Sequence, residues 1–422
     1  MFHQLRKVIY LVVVLSLLAA GTASANGFPT WVVAFDPGPY MMKDPTGQAS
    51  YFVHSVEEFK NDLYIVAGDP GWFHWPIQYP GRVFRSPDGM NWQPVTELGF
   101  GLGTDDKCGT TNYYDTSWDM TVFQNMLYML PFDSCYTLPG TILRSRDGVN
   151  WESVADTKAL KLTWSDESGT YYGQFHKFGI FKGMLYVDVD NYLRNTSQND
   201  SKVFRSRTGN PGTWEEVANF PDWGGPGSFQ TFKGGLYIAS DGISVIDPTN
   251  PDNWIQQPDQ IWRTFDGVNW QMVVDGFDKP DISSMGGMLD YKGYLYAGVG
   301  YYGNLDPDNP TSGGGQIWRS KDGLQWDPVM MGGFGNSNNE KIDGFGIYLG
   351  KLFAYAVNWM EGGSVYRTQD AQTWEQASEY GWGNPEYFTT HHISDQAVFK
   401  DEFYMGVLGP QGVLLKMAHP DK

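Results

Sequence analysis

The sequence predicts an all-β chain, a ring of four-stranded antiparallel repeats forming a seven-bladed β-propeller, and three observations predict it. A turn motif, Ser/Thr-x-Asp-Gly-x-x-Trp, comes round along the chain, clearest in Q-I-W-R-S-K-D-G-L-Q-W at Gln316 to Trp326. A second motif, F-K-G-x-L-Y or a close variant, recurs seven times. The composition, with 51 Gly, 24 Pro, 17 Trp, 25 Tyr and 25 Phe, carries no long apolar stripe at helical spacing. Such repetition calls for a repeat architecture before any residue is read for chemistry.

Taken from the start, Arg6 and Lys7, an apolar run from Val8 to Ala20, and Ala23-Ser24-Ala25 read as a secretory signal peptide over residues 1–25. The chain is expected to be secreted or periplasmic, and no later stretch is apolar for long enough to span a membrane. Its formal charge is −19 before two positive charges leave with the leader, which disfavours nucleic acid and anionic membranes as partners. Cys108 and Cys135 are the two cysteines, and a disulfide between them is expected in an oxidising compartment. Two free thiols or a metal pair are the alternatives.

The turn motif reads V-F-R-S-P-D-G-M-N-W at Val83 to Trp92, I-L-R-S-R-D-G-V-N-W at Ile142 to Trp151 and I-W-R-T-F-D-G-V-N-W at Ile261 to Trp270. It returns as V-Y-R-T-Q-D-A-Q-T-W at Val365 to Trp374, with a looser copy at Val203 to Trp214. It reads as a hairpin whose second strand leaves at the Trp. Asp-Gly tolerates positive φ, and the carboxylate can accept N–H groups of its own loop. Asp88, Asp147, Asp266, Asp322 and Asp370 make a tempting row of carboxylates, but one Asp per repeat in the same context is what a turn requires. They are expected to be structural.

The second motif begins at Phe59, Phe123, Phe181, Phe232, Tyr291, Tyr348 and Phe399 and reads as another tight hairpin. Each repeat then holds four strands, A to D from the inside outwards, as a propeller blade does. Seven A–B turns against six C–D turns leave one blade short of a D strand. Thr30 to Phe35 reads as that strand and Gly412 to Met417 as a C strand, so Trp31 to Phe35 is expected to pair with Val413 to Met417 and close the ring without a lone edge. Residues 26–422 form one domain in this reading.

These units resemble the Asp-box, or bacterial neuraminidase repeat, of the sialidase-like propellers, across essentially all of the chain after the leader. They are one residue shorter than that family's commonest form, and the third copy has Thr208 where Asp belongs. The resemblance implies the fold and leaves function open, because the box recurs in enzymes, binding proteins and structural proteins. Sialidase chemistry would imply three arginines on inner strands, a Tyr nucleophile with its Glu, and an Asp acid/base. The A strands carry no arginine; Arg85, Arg144, Arg205, Arg263, Arg319 and Arg367 fall one per C strand, and the Phe/Tyr-Arg-Ile-Pro signature is missing. Sialidase activity is not expected.

In such a ring the B–C and D–A loops share one face, long and irregular, where function concentrates on a rigid scaffold. That face carries Trp72, His74, Trp75, Tyr301 and Trp359, rings suited to stacking on sugars and equally to protein contacts. The starts of the A strands, at the channel mouth, carry His54, Trp118, Asp119, His176, Lys177, Asp343 and Asp395. Trp118 and Lys177 join the ligand contacts. The carboxylates and imidazoles suit metal binding or acid–base catalysis, or else meet only water and backbone. No cofactor is certain. Calcium or another divalent ion is the candidate, with oxygens at Asp306, Asp308 and Asn309 or at Asp247, Asn250 and Asp252, neither set having the EF-hand pattern.

Three functional readings remain. The first is a propeller that binds a glycan or a cell-surface partner on its aromatic loop face. The second is a glycoside hydrolase using Asp119, Asp343 and Asp395 with His54 or His176 assisting. The third is a structural or protein-interaction propeller. The enzyme reading requires carboxylates close enough for one pKa to be raised by its neighbour. Nothing in the sequence points to an oligomeric state.

Overall fold

The computed structural model describes residues 28–41, 51–69, 79–102, 114–167, 169–191, 200–220, 226–240, 244–247, 250–256, 258–277, 284–300, 313–384, 392–408 and 412–419. Among them regular structure is all β apart from four short 3-10 turns. No helix there is long and apolar enough to cross a membrane.

The strands pair into four-stranded antiparallel sheets in A-B-C-D order. The first sheet is Phe52–Phe59, Asp62–Asp69, Tyr79–Ser86 and Gln93–Pro94; the second is Thr116–Phe123, Met126–Phe132, Thr141–Ser145 and Trp151–Asp156. The third is Gln174–Phe181, Met184–Asn191, Asp200–Ser206 and Glu215–Phe220; the fourth is Pro226–Phe232, Gly235–Ser240, Gln260–Thr264 and Trp270–Asp275. The fifth holds Ser284–Tyr291, Tyr294–Gly300, Gln316–Ser320 and Trp326–Met330. A single bridge from Gly300 to Lys341 joins it to the sixth: Lys341–Tyr348, Lys351–Val357, Ser364–Thr368 and Glu375–Gln376. The seventh takes His392–Phe399, Glu402–Leu408 and Leu414–His419, with Thr30–Phe35 as its outer strand. There Trp31 lies opposite Met417 and Val33 opposite Leu415. Each A strand packs on the A strand of the next sheet, and His392–Phe399 packs back on Phe52–Phe59.

Two hairpins interrupt stretches that the sequence reads as irregular loops. Thr163–Asp166 pairs with Gly169–Tyr172 between the second and third sheets, and Ser244–Asp247 pairs with Asn250–Gln256 inside the fourth. Both are short and unrepeated, so no second copy flags them.

The two repeated motifs interlock. At the A–B turn of the first sheet Lys60 and Asn61 take φ of 52° and 67°, the twist a two-residue hairpin needs. The Lys60 ammonium then donates to the carbonyl of Arg146, in the C–D turn of the next sheet, at 2.6 Å. Gln124 does the same to Arg207, Lys182 to Phe265, Lys233 to Lys321, Lys292 to Gln369 and Lys400 to Pro87. The motif tyrosine lies under the glycine of the same neighbouring turn: Tyr64 under Gly148, Tyr128 under Gly209, Tyr186 under Gly267, Tyr237 under Gly323, and Tyr404 under Gly89. These tyrosines are among the largest fully buried side chains, each ring contributing roughly 2 kcal/mol of burial.

Inside the five C–D turns that carry it, the Asp organises the loop. Asp88 Oδ1 accepts from the Met90 and Asn91 N–H groups at 2.9 and 2.7 Å and from Ser86 Oγ at 3.1 Å, while Oδ2 takes Asn91 Nδ2. Asp147 and Asp266 repeat the pattern with Asn150 and Asn269, and Asp322 and Asp370 keep the two N–H bonds. Those N–H donors hold the carboxyls of Asp88, Asp147, Asp322 and Asp370 below the usual range, and Asp266 likewise, led there by the Asn269 side chain.

Candidate functional site: the channel mouth

Every A strand carries a bulge near its start, which in the first sheet falls between Val53 and Ser55 and in the seventh between Ile393 and Asp395. A bulge leaves a backbone N–H without a partner in its own ladder. In three of the sheets the side chain at the matching position of the preceding sheet takes it up. Asp395 Oδ2 accepts Val56 N–H at 2.8 Å, Asp119 Oδ2 accepts Phe178 N–H at 2.7 Å, and Ser228 Oγ accepts Met288 N–H at 3.0 Å. Two of the candidate catalytic carboxylates are therefore also joints between sheets.

The same pair lies in one electrostatic cluster. Burial raises Asp119 to about 7, with Lys177 opposing and Asp395 adding to the rise. Burial raises Asp395 as well, against Lys177 and the N–H groups it accepts. Glu57, two residues further along the first A strand than Ser55, was not singled out by the sequence. Burial, then the charges of Asp395, Asp119 and Glu58, push it up to about 8. These carboxyls keep a little solvent contact but are surrounded by protein, so the neutral form is favoured. Tyr355 borders the cluster, donating to Gln396 Oε1 at 2.9 Å, and its phenol is raised by burial and then by Asp395. Asp343 is held instead by Lys341, at 3.1 Å.

Beside the acids stands a stack of rings. His54 meets Trp118 edge-on at 4.8 Å, and Trp118 lies parallel to His176 at 5.8 Å and 8°. Burial, then Lys177, lowers His176 to about 3, so its imidazole is neutral at physiological pH. Its Nε2 lies 3.6 Å from Asp190 Oδ2, which accepts from Tyr136 Oη at 3.0 Å. Burial lifts Asp190 to about 6 against that hydrogen bond. Lys177 is fixed at both ends: its N–H donates to Asp188 at 2.7 Å and its ammonium to the Trp118 carbonyl at 3.2 Å.

The structure thus brings together His54, Trp118, Asp119, His176, Lys177 and Asp395, and adds Glu57, Asp190 and Tyr136. Trp359 is exposed at 44% on its own loop. Trp72, His74, Trp75, Tyr301 and Cys108 lie outside the described residues, as do the calcium candidates at 306–309 and the side chains at 247–252. Cys135 is buried. Among the described residues no three His, Cys, Asp or Glu side chains are grouped to hold a metal ion.

Neither a protein-family model nor a curated protein matches the sequence. Among solved structures, Trypanosoma rangeli sialidase in complex with sialic acid is similar at a TM-score of 0.46 and 11% identity, covering 89% of this chain and 56% of that one. The chain therefore spans little more than half the length of that sialidase. An α-L-arabinofuranosidase from Fusarium graminearum is similar at a TM-score of 0.42 and 13% identity, covering 93% and 98% of the two chains. A family-43 β-xylosidase/α-arabinofuranosidase from a compost metagenome gives 0.33 and 12%, covering 57% and 88%.

Proposed function

We propose that this chain is an exported, seven-bladed Asp-box propeller that binds a neutral glycan at the channel mouth on its loop-rich face. Thr30–Phe35 would close the ring, and Cys108 would bridge to Cys135. The observation that carries the ligand reading is the partly exposed stack of Trp118 on His176, backed edge-on by the buried His54, beside Glu57, Asp119, Asp395 and Lys177. Flat ring faces suit the C–H face of a pyranose, and a few fixed polar groups suit its hydroxyls. A chain of formal charge −19 disfavours carboxylated or sulfated sugars. Thermal unfolding against neutral and acidic oligosaccharides tests this. A neutral sugar at ~100 times its Kd adds roughly 2.7 kcal/mol of stability, and the gain is expected to shrink in Lys177→Met. A response to acidic sugars alone overturns the neutral-sugar reading, and a response to none overturns it in favour of a protein-contact surface.

A second reading, hydrolysis of the bound glycan, is favoured by Glu57 at about 8 beside Asp119 at about 7. Glycoside cleavage pairs a carboxyl that keeps its proton with one that is ionised; Glu57 suits the first role, and Asp119, also raised, would take the second only above neutral pH. Reducing-sugar release by the wild type that is abolished in Glu57→Gln would support it. No release from any glycan that binds would reject it.

A further inference from the structure

We infer that the strand pair Thr163–Asp166 and Gly169–Tyr172 carries a second sugar-stacking surface, built by Trp164, Tyr171 and Tyr136, over which a neutral oligosaccharide extends from the channel mouth. The inference rests on the glycan reading above and goes beyond it by placing a further subsite. Trp164 lies directly opposite Tyr171 in the hairpin register, and their rings stack at 5.6 Å and 18°. Tyr136 flanks Trp164 at 6.0 Å and 56°. All three rings are only partly buried, so they are not core. Among the described residues no other sheet-to-sheet connection carries a hairpin of its own.

A two-stranded hairpin is marginal by itself in water. This one is tied down by Tyr172 N–H to the Tyr136 carbonyl at 2.8 Å and Gly173 N–H to the Leu162 carbonyl at 3.0 Å. The tie runs on to the mouth. Tyr136 Oη donates to Asp190, Asp190 lies against His176, and His176 stacks on Trp118. The opposite face of the hairpin carries the Ser165–Thr170 hydroxyl pair and, across from Thr163, Tyr172, whose N–H is the one tied to Tyr136. Ring faces next to hydroxyl and carboxyl oxygens, continuous with the mouth, fit successive units of a neutral oligosaccharide better than an aliphatic protein segment.

The test is calorimetric titration of the whole chain with cellobiose, cellohexaose, xylobiose and xylohexaose. At least one hexasaccharide is expected to bind more tightly than its disaccharide. Tyr171→Ala should weaken that hexasaccharide about tenfold, the scale of one lost ring contact, and leave the disaccharide unchanged. Should Ala loosen the hairpin, Tyr171→Leu keeps an apolar contact for Trp164 without the flat face and carries the same expectation. A hexasaccharide unaffected by both changes overturns the hairpin subsite while the mouth reading stands. Equal loss for both sugar lengths also overturns it. No binding of any of the four sugars overturns this subsite, and the wider panel of neutral oligosaccharides then decides the mouth reading.

Discussion

Lys400, in the A–B turn of the seventh sheet, donates its ammonium to the carbonyl of Pro87, 313 residues earlier in the C–D turn of the first. Five other sheets make the same bond to the sheet that follows them in sequence. The sixth has Leu349 at that position, and the sheet it would reach has separate chain ends where the others have a C–D turn. The donor is missing where the acceptor is missing.

Lys400→Met removes one exposed, charge-assisted bond between the first and last sheets. A loss of about 1 kcal/mol in unfolding free energy is expected, with faster amide exchange across Trp31 to Val33. Leu349→Lys is expected to add no stability. A gain there equal to the Lys400 loss would show that the bond needs no C–D turn.

Asp119→Ala and Asp395→Ala each orphan a buried backbone N–H, of Phe178 and Val56, and should cost about 1–3 kcal/mol in denaturant unfolding. Asn at either place keeps an acceptor and should recover most of the loss. Equal loss for Asn and Ala would mean that charge, not the joint between sheets, is what matters.

Glu57 gives the pH dependence its sign. Its folded pKa of about 8 lies above the ordinary glutamate value of 4.5, so the folded chain binds this proton more tightly. The stabilisation is complete below the unfolded value and is lost as pH rises through about 8. Thermal unfolding should show stability falling across that window, and a shallower fall in Glu57→Gln, with Asp119 continuing the slope. Parallel slopes would contradict the cluster.

Gly148→Ala and Gly183→Ala separate backbone strain from packing. Both glycines have positive φ, +77° and +71°, but only Gly148 has a ring, Tyr64, where the methyl would go. Gly183→Ala should cost about 1 kcal/mol and Gly148→Ala at least twice that. Similar costs would mean that the tyrosine moves aside freely.

Alkylation of the purified chain, weighed before and after reduction, checks the Cys108–Cys135 bridge. Two thiols reactive only after reduction are expected.

The strands were legible because two motifs repeat, and a position that recurs in one context advertises a turn. The interlock between those motifs was not, since nothing in F-K-G says which carbonyl its lysine meets. Phe100, Phe334 and Trp382, non-glycine residues at φ of 54–60° after the D strands, form a third recurring corner that short spacing to Gly could have flagged. At the mouth, position alone brought Asp119, Lys177, His176 and Asp395 into view. Glu57 escaped because it sits two residues further in, although a Glu mid-strand was itself a signal. The role of Asp119 and Asp395 as acceptors for a neighbouring bulge was invisible, because bulges follow from ring geometry and not from residue type.

The most direct measurement is the crystal structure of the chain with the neutral oligosaccharide that stabilises it most. The account predicts a pyranose ring at the channel mouth, in contact with Trp118 or His176 and within hydrogen-bond reach of Lys177, Asp119 or Glu57. A sugar seated elsewhere, with the mouth filled only by water, would contradict it.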